Sequence, residues 1–198
     1  MKKFWNERYG KQEYIYGKTP NVFFEKQLQK LKPGKLLLPC EGEGRNAVFA
    51  ASKGWTVRAF DTSEAGKIKA MKLASENNVD IDYLIDDATT VKYPQSSFEV
   101  IAFIYAHFPT NIRKQIHQKA IEWLKPGGKI ILEAFNPKQL QNNSGGPKEL
   151  AMLYTEEMLR NDFEDLDIEL LETKTIELNE GEHHKGKADI IQFVGTKN

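Results

Sequence analysis

Only one cysteine, Cys40, occurs among the 198 residues, so no internal disulfide can form. That usage fits a reducing compartment. Neither charge is in surplus: Lys plus Arg and Asp plus Glu both total 28. Without a basic excess the chain has no bulk electrostatic attraction to nucleic acid or to an anionic membrane. Long apolar runs are missing as well. The longest, Val100 to Ala106, falls far short of the roughly 18–20 residues that a membrane helix needs. Met1 to Gly10 mixes charges with aromatics and lacks the apolar centre of a signal peptide. No internal repeat and no low-complexity tract interrupts the sequence. The expectation is a cytoplasmic protein with one domain over 1–198.

What is present is an alternation of short apolar runs and amphipathic stretches, the pattern of a parallel βα sheet. Lys35 to Leu38, Trp55 to Phe60, Ile81 to Ile85, Phe98 to Ile104 and Lys129 to Phe135 read as five strands. The first is compact and apolar because both its faces are to be buried. Helices are expected over Arg45–Lys53, ended by Gly54, over Glu64–Glu76 with Ile68, Met71 and Leu73 as its apolar side, and over Asn111–Leu124. Polar Asn136 to Lys148 reads as a long mobile loop of the kind that forms lids. A helix over Thr155–Phe163 leads to strands at Ile168–Leu178 and Ala188–Val194, joined closely enough to pair as an antiparallel hairpin. The fold class expected is therefore α/β, a Rossmann-like three-layer sandwich whose mostly parallel seven-stranded sheet ends in an antiparallel strand. Residues 1–34 form a cap, 35–135 a cofactor-binding core, and 136–198 the lid loop, helix and closing hairpin.

The chemistry concentrates after the first strand, in Pro39-Cys40-Glu41-Gly42-Glu43-Gly44-Arg45. Gly42 and Gly44 let the backbone turn tightly and a ligand approach it, while the following helix points free N–H groups at an anion. Asp61 ends the second strand about 20 residues further on, where an acidic side chain accepts both hydroxyls of an adenosine ribose. Asp61-Thr62-Ser63-Glu64 also has the form of a helix N-cap, so a capping role for Asp61 stays open. Asp87, just before Ala88, is placed to accept from an adenine amino group; Thr62 and Ile104 adjoin the same edge of the sheet. Past the fourth strand stand Tyr105 and His107, at the carboxyl ends where open α/β sheets bind ligands. His107 is a candidate base, with a helix-capping role open beside it. Adjacent His183 and His184 sit in the final hairpin turn, where neighbours make poor joint metal ligands, so no metal is expected.

Gly42-Glu43-Gly44-Arg45, Asp61, Asp87-Ala88 and Leu124-Lys125-Pro126-Gly127-Gly128 occur in the order and spacing of class I methyltransferases. The chain resembles that family from Leu36 to Val194. Leu38-Pro39 and the aromatic segment containing Tyr16-Gly17-Lys18-Thr19-Pro20-Asn21 are similar to the bacterial branch of tellurite-resistance and thiol (thiopurine) methyltransferases. The resemblance implies S-adenosyl-L-methionine as cofactor, S-adenosyl-L-homocysteine as product, and a small-molecule acceptor such as a thiol or chalcogen oxyanion. It implies no nucleic-acid or membrane partner and a monomer or weak homodimer. It also implies a substrate-facing histidine in the hairpin, His184 before His183, with a solvent-exposed turn open beside that role. The aromatic faces of Trp5, Tyr9 and Tyr16, ahead of the first strand, suit a cationic sulfonium, with a place in the ordinary core over the sheet open for them as well. Two departures stand out: the family has a glycine at Cys40 and an acidic residue at Leu38, so Glu41 is assigned the methionine amino group. A nicotinamide-dependent oxidoreductase and a non-catalytic cofactor-binding module remain as alternatives.

Overall fold

The computed structural model describes residues 2–198. It contains α1 (Lys2–Tyr9), α2 (Val22–Leu28), β1 (Lys35–Pro39), α3 (Arg45–Ser52), β2 (Thr56–Asp61), α4 (Glu64–Glu76) and β3 (Asp82–Ile85). These are followed by β4 (Phe98–Ile104), α5 (Thr110–Trp123), β5 (Leu124–Phe135), α6 (Glu156–Asp162), β6 (Leu166–Asn179) and β7 (Lys185–Lys197). One seven-stranded sheet runs in the order β3-β2-β1-β4-β5-β7-β6. Strands β1 to β5 run parallel to one another, whereas β7 is antiparallel to both β5 and β6. This is the expected Rossmann-like sandwich. Successive residues of β1 supply opposite faces: Leu37 packs with Ile101, Phe103, Ile116 and Phe163, and Leu36 and Leu38 pack with Val48, Ala70 and Leu73. The chain crosses the sheet between β3 and β4, so the crevice above β1 and β4 is the switch point where such sheets take ligands.

Three local expectations need correction. Helix α4 buries Gly66, Ala70, Leu73 and Ala74, while Ile68 and Met71 are exposed. The reason is closeness: a Cβ on Gly44 would stand 2.5 Å from the Cβ of Ala70, and one on Gly66 would stand 2.8 Å from the Gly42 carbonyl. Only small residues fit a helix laid against that turn. The N-terminal cap segment contains α1 and α2, the second capped by Asn21, whose Oδ1 accepts from Phe24 N at 2.9 Å. Lys125–Gly128 belongs to β5, which starts at Leu124 and carries a register shift against β4. Asn136–Lys148 is anchored by buried polar groups. Gln139 Nε2 donates to Ser144 Oγ and to the Gly145 carbonyl, both at 3.0 Å, and its Oε1 accepts from Asp189 N at 2.9 Å. These bonds tie the loop to β7. Among the described residues no helix is long and apolar enough to cross a membrane.

Candidate active site

A cavity of about 680 Å³ opens above the carboxyl ends of β1, β2 and β4, within the size range of small-molecule sites. Its wall brings together most of the residues singled out in the sequence. Trp5, Tyr9 and Tyr16 form one side. Trp5 stacks on Tyr9 at 5.3 Å and Tyr9 meets Tyr16 edge-on at 6.4 Å. Arg8 secures them by donating to Tyr16 Oη at 3.0 Å while its guanidinium lies over the rings of Phe4 and Trp5.

Asp61, Thr62, Asp87, Ala88 and Ile104 form the next stretch of wall. Asp61 does not cap α4. Ser63 does so, its Oγ accepting from Gly66 N at 3.1 Å. Asp61 Oδ2 accepts from Gly42 N at 3.1 Å and Oδ1 from Ser63 N at 2.9 Å. Each oxygen keeps accepting capacity, since a carboxylate offers about four lone-pair sites. Burial raises the pKa of Asp61, against those N–H donors. In Asp87, Oδ1 takes both the backbone N–H and the hydroxyl of Thr89, at 2.8 and 2.6 Å.

The glycine turn works differently from expectation. Gly42 (φ +61°) and Gly44 (φ +86°) adopt left-handed conformations, but neither lines the cavity. The room they leave is filled by protein, because a Cβ on Gly42 would stand 2.6 Å from Tyr9 Oη. Nor are the first N–H groups of α3 all free for an anion. Glu41 Oε1 accepts from Asn46 N and Ala47 N, each at 2.8 Å, and Oε2 accepts from Asn46 Nδ2 at 3.3 Å. Burial nevertheless raises the Glu41 pKa to about 7, against those bonds and the nearby Arg45.

Tyr105, His107 and His184 line the far side with Phe135, Met152 and Pro147. Tyr105 has φ +54°, costly for a residue with a β-carbon, and among the described residues its hydroxyl has no hydrogen-bond partner. His107 is bonded at both ring nitrogens. Nδ1 donates to the Met152 carbonyl at 2.7 Å and Nε2 accepts from Phe135 N at 3.2 Å. Burial lowers its pKa to about 4. No nitrogen is left to take a substrate proton, which removes His107 as the base; it braces the loop after β4 against β5 and the residue 152 turn. His184 is buried, with its ring centroid 4.4 Å from Tyr16 and 4.5 Å from Tyr105. His183 does not line the cavity.

Sequence reading overlooked a buried polar cluster beneath this side. Arg45 NH2 pairs with Glu180 Oε2 at 2.8 Å, and Asn21 Nδ2 donates to Glu133 Oε1 at 2.6 Å and to Glu180 Oε1 at 3.2 Å. Gln192 donates to the other oxygen of Glu133. Glu43 was missed too: it accepts from Ile15 N at 2.8 Å and pairs with Lys69 at 2.7 Å, fastening the aromatic segment over the cavity. These partners lie up to 159 positions apart, so no local pattern signals them.

Residues 38–128, somewhat under half of the chain, match the family model described as a methyltransferase domain. The demethylmenaquinone methyltransferase of Renibacterium salmoninarum is 26% identical over 129 residues, 65% of this chain and 50% of that protein. The matched part thus spans about half the length of that curated relative. Among solved structures, TehB from Haemophilus influenzae superposes with a TM-score of 0.73 at 15% identity, over 100% of this chain and 67% of its own. A structure described for the conversion of a disulfide bond into a thioacetal group during echinomycin biosynthesis reaches a TM-score of 0.82 at 14% identity, over 100% and 92%. The architecture is that of the Rossmann-like methyltransferases.

Proposed function

We propose that this chain is an S-adenosyl-L-methionine-dependent methyltransferase acting on a small-molecule acceptor, in the range of thiols and chalcogen oxyanions. One observation carries the reading. At the switch point of this fold, within the stretch matching a methyltransferase domain, Asp61 presents a buried carboxylate to the cavity with capacity left on both oxygens. That is the acceptor a ribose diol requires, and charge-assisted bonds to it are stronger than neutral ones.

The residues present suit the cofactor. Asp61, with Thr62 beside it, would hold the ribose hydroxyls, and Asp87 with Ala88 and Ile104 would hold adenine. The faces of Trp5, Tyr9 and Tyr16 would cover the sulfonium. Glu41 would offer Oε2 alone to the methionine amino group, because Oε1 is held by the start of α3. Gly42 and Gly44 act indirectly, by admitting Tyr9 and Ala70. The cofactor supplies an electrophilic methyl group. What the protein must add is alignment of the nucleophile and exclusion of water. Tyr105 shapes the acceptor side, His107 holds its loop in place, and His184 is left as the group that can take a proton.

A nicotinamide enzyme fits less well, since the dinucleotide-binding sheet order continues 3-2-1-4-5-6 whereas here antiparallel β7 lies between β5 and β6. Calorimetric titration with S-adenosyl-L-methionine, S-adenosyl-L-homocysteine and NAD is expected to give binding of the first two; binding of NAD alone would sink the reading. Asp61→Ala is expected to weaken cofactor binding by about 1.5–3 kcal/mol. Cofactor binding without turnover over thiols, selenite, tellurite and phenols would leave a binding module instead.

A further inference from the structure

The hairpin turn between β6 and β7 carries a carboxylate behind a histidine. Glu180 Oε2 lies 3.5 Å from His184 Nδ1, both side chains under a tenth exposed. Nδ1 is the ring nitrogen turned to that carboxylate and, among the described residues, it is buried with no hydrogen-bond partner; Nε2 is the other nitrogen of a ring that lines the cavity. The ring is walled by Tyr16, Tyr105 and Phe135 at centroid distances of 4.4, 4.5 and 5.4 Å.

The carboxylate is held from two sides. Arg45 pairs with Oε2 at 2.8 Å, and Asn21 donates to Oε1 at 3.2 Å. The turn itself is locked in place. Glu180 N donates to the His184 carbonyl at 2.8 Å, and a Cβ on Gly181 would stand 2.4 Å from the Ile15 carbonyl. Close contact with residues 15–17 thus sets where Glu180 points. We propose that Glu180, held by Arg45 and Asn21, is the positioning residue behind His184, and that the acceptor is a molecule that yields a proton to His184 Nε2 as it is methylated, a thiol or a phenol.

This rests on the methyltransferase reading. The bond to the methyl carbon forms at the acceptor sulfur or oxygen as the carbon–sulfur bond of the cofactor breaks. The electrons of the broken bond stay on the cofactor sulfur, and the acceptor's proton goes to Nε2. Glu180 then faces a cation in a site where an unpaired one would be costly. Before transfer the ring must be neutral, and burial lowers its pKa, with Glu180 pulling upward and Arg45 downward. The other groups facing it are His183 on the same turn, Tyr16 on the N-terminal segment and Tyr105 on the loop after β4. His107 lies on that loop as well, and Glu133 on β5 acts on Tyr105.

The test is an NMR titration of the imidazole signals in the full chain, with His184→Gln identifying the resonance. Glu180→Gln is expected to lower the His184 midpoint by about one pH unit or more, and Arg45→Gln to raise it. Shifts of opposite sign are not what a purely structural pair would produce. An unchanged midpoint in Glu180→Gln, or shifts of one sign in both, overturns the proposal. Should Glu180→Gln fail to fold, Glu180→Asp draws the charge back by one methylene and must still lower the midpoint; no change there overturns it equally. In turnover assays, thiols or phenols should be methylated with an acidic limb that Glu180→Gln displaces. Methylation of tellurite or selenite through a lone pair, with thiols and phenols inert, overturns the acceptor assignment. Absence of cofactor binding in calorimetry would strike the methyltransferase reading instead, and leaves the histidine shifts to be read on their own.

Discussion

The molecule builds an arginine, a carboxylate and a histidine into one cluster twice, and the two copies differ in what surrounds them. Between α5 and α6, Asp162 receives Arg113 Nε at 2.6 Å and NH2 at 3.2 Å, and His117 Nδ1 at 2.8 Å. His117 is fully buried, stacked on Phe163 at 4.6 Å, and its Nε2 has no hydrogen-bond partner among the described residues. Burial opposes ionisation of Asp162, but His117 and Arg113 outweigh it and hold its pKa low. Beneath the cavity, Glu180 takes Arg45 and Asn21 firmly, while His184 stands back at 3.5 Å and reaches the cavity. Every short contact in the first cluster is made within the protein. The second keeps one histidine loosely engaged beside open space. The same three kinds of group therefore serve packing in one place and remain available for chemistry in the other, and access decides which.

Asp162→Asn is the most direct way to break this comparison. Removing one partner of a buried ion pair costs about 3–5 kcal/mol, and that loss is expected in urea unfolding. The same exchange at Glu180 should cost less, since Arg45 and His184 line the cavity and can be solvated there. Equal losses at the two sites would erase the distinction.

The next effect is on pH dependence. His107 is shifted from 6.5 to about 4, so between those values the unfolded chain binds its proton more readily than the folded one. Its share of stability is therefore complete above about 6.5 and is lost as pH falls toward 4. The slope is about 1.4 kcal/mol per pH unit and the total about 3 kcal/mol. His107→Gln should flatten the curve by that amount relative to the parent, and parallel curves would refute the burial of His107 in its neutral form. The two proteins must be compared by difference, because Glu41, raised from 4.5 to about 7, contributes a slope of the opposite sign.

A smaller effect sharpens the link between the closed cluster and the cavity. Tyr154, fully buried under the Arg113 guanidinium, accepts from Phe108 N at 2.7 Å and donates to the Ala106 carbonyl at 3.1 Å. It thereby holds the backbone on either side of His107. Tyr154→Phe leaves those groups unpaired and should cost about 1–3 kcal/mol in unfolding experiments. Amide exchange at Phe108 should quicken, while cofactor affinity, which the proposed site draws from Asp61, Asp87 and the N-terminal aromatics, should stay nearly unchanged.

Much of the fold was legible because burial on both faces leaves compact apolar strands, and because Pro and Gly mark the turns between them. The hairpin, the strand count and the residues grouped around the cavity follow from that pattern. Ile68 and Met71 were misassigned because their helix packs on a turn too close for large side chains, a steric fact outside the helix's own periodicity. His107 looked like a base because histidine titrates near neutrality; only the Met152 carbonyl and Phe135 N–H, 45 and 28 positions away, remove it from that role.

By itself, then, the sequence determined the order of strands and helices from β1 onward and which acidic and aromatic residues stand at the carboxyl edge, since local periodicity and turn chemistry carry that information. The tertiary structure alone decided which of these groups are satisfied and which are free. It turned Glu41 back onto α3, gave the glycine space to Tyr9 and Ala70, and set Glu180 behind His184. Hydrogen-bond saturation and burial depend on partners brought together across the whole chain, and one-dimensional patterns do not record them.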